Sequence, residues 1–113
     1  SPLCSGLLTG KYIGKNPKNT RISLKNYKFI KDNFESKDFI KKHDTVKKLK
    51  DLSEEVQIPL VNLSLCWCLK NKNVSTVILG ASKKSQLKQN LKSLNFMDTI
   101  DNSVLKRIEE IIA

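Results

Sequence analysis

The sequence predicts an α/β protein made mostly of helices, and three observations carry that reading. Apolar residues recur at intervals of three and four over much of the chain, as on one face of a helix. One run, Val74-Ser75-Thr76-Val77-Ile78-Leu79, is instead rich in β-branched and aliphatic residues, the pattern of a strand buried on both faces. It leads through Gly80-Ala81-Ser82 into a polar segment with Leu87, Leu91 and Leu94 at helical spacing. One clear strand, with a strand end near Ser1, cannot form a sheet that stands alone, so its neighbours belong elsewhere. The order loop, helices, strand, turn, helix matches the C-terminal segment of a (β/α)8 TIM barrel: the end of strand seven, strand eight and the surrounding helices.

In chain order, Ser1 to Lys11 is an apolar stretch punctuated by Pro2, Gly6 and Gly10, which argues for a strand end running into a loop. The chain stays polar through Arg21, the composition of a long surface loop. From Ser23, Leu24, Tyr27, Ile30 and Phe34 predict a helix, with Lys25, Lys28 and Lys31 outside. Ser36 suits the cap of a second helix, in which Phe39, His43, Val46, Leu49, Leu52 and Val56 form one stripe. Asp44-Thr45 marks a place where it could break in two. Ile58-Pro59 starts a third helix, since proline is tolerated in a first turn. Its apolar residues, Leu60 to Leu69, surround it almost completely and predict burial, Trp67 included. After a connector from Asp98 to Asn102, Ser103 to Ile112 is a final amphipathic helix with Leu105, Ile108 and Ile112 inward.

The 113 residues suffice for one small domain or one part of a larger one, and the chain, opening at Ser-Pro-Leu without a methionine, reads as a fragment. The formal charge of +10 comes mostly from dispersed lysines, the ordinary outer faces of helices. Cys4, Cys66 and Cys68 have the spacing of neither a redox pair nor a zinc knuckle, and His43 is the one histidine, so no metal site is expected. Reduced thiols fit a cytoplasmic protein. No apolar stretch approaches the roughly 20 residues that span a bilayer, so no membrane insertion is expected. His43 has no acid or nucleophile in register and reads as structural.

The turn after the strand is the chemically suggestive place. Gly80 permits close approach of a ligand or a positive φ, and Ser82 can cap the following helix. That helix would then present free amides and the positive end of its dipole, beside Lys83 and Lys84, to an anion such as a phosphate. The alternative is a plain strand-to-helix turn with two solvated lysines.

Longer motifs add a resemblance that composition does not supply. Ser1-Pro-Leu-Cys-Ser-Gly-Leu-Leu-Thr-Gly-Lys-Tyr12, Thr20-Arg21 with Ser23-Leu-Lys25, Leu65-Cys-Trp-Cys-Leu69, and Val77-Ile-Leu-Gly-Ala-Ser82 with Gln86-Leu87 and Asn90 together resemble the C-terminal part of aldo-keto reductases. Within that family they are most similar to the β subunits of voltage-gated potassium channels. The resemblance covers residues 1–113 and implies the C-terminal part of a single barrel domain that binds NADPH and reduces aldehydes and ketones by hydride transfer. It implies that Ser1, Pro2, Leu3, Ser5 and Gly6 lie along the cofactor's pyrophosphate. Lys11 and Arg21 would help neutralise its phosphates, Gly80, Ser82 and Gln86 would hold the adenosine 2′-phosphate, and Asn90 would contact the adenine. The chain departs from the family at Cys4 and Ser5, at Asn19, and at Gln89, which replaces an acid beside Asn90.

The family's catalytic aspartate, tyrosine, lysine and histidine or asparagine map onto no residue here. The 113 residues alone are therefore expected to be inactive, while a full-length parent would be an NADPH-dependent enzyme acting on a small carbonyl substrate. The other function the resemblance implies is an NADPH-sensing regulatory subunit that attaches to a channel α subunit or to further copies of itself. A basic nucleic-acid module is a third class, but no aromatic-and-basic RNA-binding motif is present.

Overall fold

A computed structural model describes residues 1–14 and 37–113. Four α-helices follow one another: α1 (Lys37–Glu55), α2 (Leu60–Lys70), α3 (Lys84–Leu91) and α4 (Asn102–Ile112). Two 3₁₀ segments, Cys4–Thr9 and Lys92–Phe96, complete the regular structure of the described residues. The helix expected from Ser23, its Phe34, the Ser36 cap and Arg21 lie outside the described residues, as does the Phe39 side chain.

Helix α1 runs unbroken through Asp44-Thr45, where the Thr45 hydroxyl donates back to the Lys41 carbonyl at 3.1 Å instead of opening the turn. Its end is a Schellman motif. Gln57 takes a left-handed φ of 58° and donates its amide to the Glu54 carbonyl, while the Ile58 amide reaches the Ser53 carbonyl at 3.0 Å. Pro59 then blocks continuation and leads into α2. The stripe of α1 buries Val46, Leu49 and Leu52 against Leu60, Leu63 and Cys66 of α2 and Ile108 of α4, with Leu7, Ile58 and Ile100 closing the core. His43 is only half-buried.

Helix α4 starts one residue earlier than expected, because the Asp101 carboxylate accepts from the Val104 amide at 2.9 Å and so caps it. Ile108 is buried, but Ile111 rather than Ile112 continues the inward face. Polar contacts on its two flanks set that rotation: Trp67 Nε1 donates to Glu109 Oε1 at 2.9 Å, and Arg107 pairs with Glu55. The same contact explains why Trp67 is half-buried, not fully enclosed. An indole N–H that finds its acceptor at the surface keeps one edge there.

The expected β-structure is absent among the described residues. Val74 to Ala81 has no regular structure, and Ile78 is 82% exposed rather than buried on both faces. The expected strand end near Ser1 is a turn leading into the 3₁₀ segment. A strand is stabilised by a ladder to a neighbour, and no second strand lies within the described residues to supply one. Helices close their own hydrogen bonds, so they form here without such a partner.

Helix α3 differs from its expected packing in a related way. Leu87, Leu91 and Leu94 are exposed, and Asn90 and Ser93 are the buried positions. The helix is fastened to α2 by polar groups: Asn62, fully buried, hydrogen-bonds Gln89 and Ser93, and the Cys66 thiol donates to the Ser93 carbonyl at 3.1 Å. This fastening holds one edge of α3 across a cleft from the N-terminal segment.

Candidate functional site

A cleft of about 630 Å³ separates the N-terminal segment from the turn and helix that follow residue 79. One wall is Ser1, Pro2, Leu3, Ser5, Gly6, Thr9 and Lys11, the other Leu79, Gly80, Ser82, Lys83, Ser85, Gln86, Gln89 and Asn90, with Val61 of α2 at the base. Every residue expected from the sequence at the cofactor therefore borders a single cavity, except Arg21, which lies outside the described residues. Lys84 does not line it, because at the start of α3 it turns to the opposite face.

The first wall is shaped by an unusual backbone. Cys4, Ser5 and Gly6 take consecutive left-handed φ values of 48°, 57° and 97°. Each non-glycine residue there costs on the order of 1–2 kcal/mol, and the curl is held by the Ser5 amide donating to Ser1 Oγ and the Gly6 amide to the Leu3 carbonyl. The missing side chain of Gly6 matters twice. A Cβ would be strained at this φ and would stand 3.0 Å from Lys11 Cε and 3.1 Å from Lys11 Nζ. Lys11 thus folds back across the curl, its ammonium 5.1 Å from the Tyr12 ring centroid.

The second wall is a half capping box. Gln86 Oε1 accepts from the Ser82 amide, the Ser82 hydroxyl and the Lys83 amide at 3.0–3.2 Å. Ser82 is therefore not the cap that its position suggested. Lys83 occupies the cap position, and lysine has no acceptor to give in return, so Gln86 reaches back and satisfies the turn alone. Gly80 adopts no positive φ, and a Cβ built on it meets nothing within 4 Å. Its place at the cleft is open space.

The donor set of this cavity suits an anionic, partly polar ligand. Lys11 and Lys83 supply charge, Ser1, Ser82 and Ser85 supply hydroxyls, and none of the lining residues is acidic among those described. Its volume lies in the range of small-molecule and cofactor clefts. Thr9, Val61, Leu79, Ser85 and Gln89 were not expected there. For the helical pair a signal existed: Ser82, Ser85, Gln86, Gln89 and Asn90 fall at intervals of three and four, so a face containing Gln86 and Asn90 must include the others.

A larger cavity of about 820 Å³ lies on the far side of the N-terminal segment, walled by core residues such as Leu49, Leu63 and Trp67. Its lining mixes those apolar groups with Ser1, Ser5, Thr45 and Ser64 and with the charged Asp38, Lys41 and Lys42. Cys68 borders it, and burial raises the pKa of that thiol and of Cys66, so both stay protonated. All three cysteines are free thiols, no group of residues among those described could hold a metal ion, and no helix among them is long and apolar enough to cross a membrane.

Comparison with known proteins agrees over the full length of the chain. It is 39% identical over 113 residues to a probable voltage-gated potassium channel subunit beta of Arabidopsis thaliana, covering 99% of this chain. It is 38% identical over the same length to a protein of the same description in Oryza sativa subsp. japonica. The chain spans 34% of the length of each of these relatives. The model of the aldo/keto reductase family matches residues 1–113, and the chain belongs to that family.

Proposed function

We propose that residues 1–113 are the NADPH-binding C-terminal part of a single (β/α)8 barrel domain, in a protein that reduces aldehydes or ketones by hydride transfer. The observation that carries this reading is the gathering of Ser1, Pro2, Leu3, Ser5, Gly6, Lys11, Gly80, Ser82, Gln86 and Asn90 around one cleft without an acidic residue. Family membership supports it, since aldo-keto reductases use nicotinamide dinucleotides.

The bound dinucleotide supplies the hydride. These residues grip and orient it. The curl at Cys4 to Gly6 brings main chain alongside a pyrophosphate, and Lys11 and Arg21 balance its charge. Ser82 and Gln86, with Lys83 beside them, receive the 2′-phosphate; for that the Ser82 hydroxyl turns from Gln86 to the incoming oxygen. Asn90 meets the adenine. Proton donation to a carbonyl requires a tyrosine activated by a lysine and an aspartate, and none of the present residues matches that set, so the 113 residues alone do no chemistry.

A second reading has its own observation. Both plant relatives are described as potassium channel β subunits, which favours a cytoplasmic NADPH-sensing subunit that joins a channel α subunit or its own copies. Co-purification with the cytoplasmic domain of such a channel supports that role, and a monomeric reductase with fast turnover counts against it.

The deciding experiment is titration of NADPH and NADH into the protein, wild type beside a Ser82→Ala, Lys83→Gln double variant. The 2′-phosphate assignment predicts that NADPH weakens about tenfold or more while NADH changes little, one lost charge-assisted hydrogen bond and a charge being worth that much. Equal weakening of both cofactors sinks the assignment.

A further inference from the structure

Asn62 does not line the cleft, yet it controls a residue that does. Its side chain is fully buried in α2 and bonded to α3 and the turn beyond it: Nδ2 donates to the Gln89 carbonyl and to Ser93 Oγ, each at 2.8 Å, and Oδ1 accepts from Gln89 Nε2 at 2.6 Å. The orientation of both amides follows from chemistry. A main-chain carbonyl can only accept, so the Asn62 atom facing it must be the nitrogen. Oδ1 is then the remaining atom and needs a donor, which fixes Nε2 as the Gln89 atom beside it. Gln89 Oε1, on the other side of that planar amide, has no protein donor among the described residues, and Gln89 borders the cleft.

We infer that Asn62 is a positioning residue that locks the Gln89 amide with its carbonyl oxygen available to the ligand, so that this wall selects a purine bearing an exocyclic amine over an oxo-purine. The inference rests on the dinucleotide reading above. A free glutamine could turn either end toward a base and would accept an amine or an oxo group alike. With Nε2 held back against α2, an oxo group meets Oε1 as one acceptor against another, while an amine donates to it.

The test titrates the protein with NADPH and with its deaminated analogue, which carries hypoxanthine in place of adenine, following nicotinamide fluorescence. The wild type should bind NADPH about tenfold more tightly than the analogue, the usual worth of one satisfied against one unsatisfied hydrogen bond. Asn62→Leu and Gln89→Leu should each bring the ratio near one. The Asn62→Leu, Gln89→Glu double variant should restore it, because a carboxylate is an acceptor at both oxygens and needs no lock. A purely structural role for Asn62 would lower affinity for both dinucleotides together and would not be rescued at position 89. If Asn62→Leu does not fold, the smaller Asn62→Ala takes its place, since it removes the same lock on Gln89. NADPH binding without a preference in the wild type, or a preference that survives in Gln89→Leu, overturns the inference alone. Failure of both dinucleotides to bind the wild type overturns the cofactor reading and the inference with it.

Discussion

Helix α2 and the run Val74–Leu79 are both strongly apolar, and they have opposite fates. The helix buries Leu60, Leu63 and Cys66 in the core and Leu65 beside them, whereas the run has no regular structure and leaves Ile78 almost wholly exposed. The difference lies in the backbone. Leu60 to Lys70 satisfies its own amides and carbonyls, so burial needs only an apolar neighbour, which α1 provides. A strand must first find another strand. Apolar sequence alone therefore does not order a segment; a place for its peptide groups does.

That contrast can be broken at its two ends. Leu63→Ala should lower unfolding stability by about 2–5 kcal/mol, since the side chain is 1% exposed and its removal leaves a cavity. In the 113 residues by themselves Ile78→Ser should change it by less than about 0.5 kcal/mol, whereas in the whole barrel proposed above, where the run gains neighbouring strands, the loss should be larger. Urea denaturation of the two variants measures both, and comparable losses would mean that the run is covered in solution.

Between these extremes lie the positions where local backbone, not burial, decides. Gly6→Ala should cost about 1–2 kcal/mol through its φ of 97°, and on the cofactor reading proposed above its displacement of Lys11 should also weaken NADPH binding. Thermal unfolding with and without cofactor separates the two effects. Asp101→Ala should cost about 1 kcal/mol by removing the cap of α4, and Asp101→Asn should recover most of it.

The smallest effect concerns the surface ion pair between α1 and α4. The Arg107 guanidinium, by hydrogen bond and charge, holds the Glu55 carboxyl below the usual glutamate range. A depressed carboxylate contributes stability above its unfolded pKa of about 4.3 and loses it as pH falls through the lower folded value. Arg107→Gln should therefore lower stability slightly at neutral pH, with the loss fading as pH falls through the folded value so that the acid side of the profile flattens, and the effect is small because both groups are exposed. A large change at neutral pH would show that the pair is shielded from solvent.

Much of the helical framework was legible in the chain. The stripe Val46, Leu49, Leu52 lay three residues apart, Ile58-Pro59 marked the start of α2, and Ile108 marked the inner face of α4. Motifs also named most of one cleft, because residues that approach phosphates are of few kinds: small ones, hydroxyls, amides and cations. The missed residues show where such reading stops. Gln89 stood out only as a substitution, since nothing in its neighbourhood says that Asn62, distant in sequence, holds its amide.

The sequence by itself determined where helices form and which of their residues are apolar, because helical hydrogen bonds and spacing are local. Family membership was determined the same way, through motifs held in order along the chain. Only the tertiary structure decided which apolar residues are covered, so that Leu87, Leu91 and Leu94 face outward while Asn90 and Ser93 are buried. It alone decided that Gln86, not Ser82, closes the turn of α3, and that Lys11 lies over Gly6. These are contacts between groups whose geometry depends on a folded backbone, and no local pattern specifies the distance across a cleft.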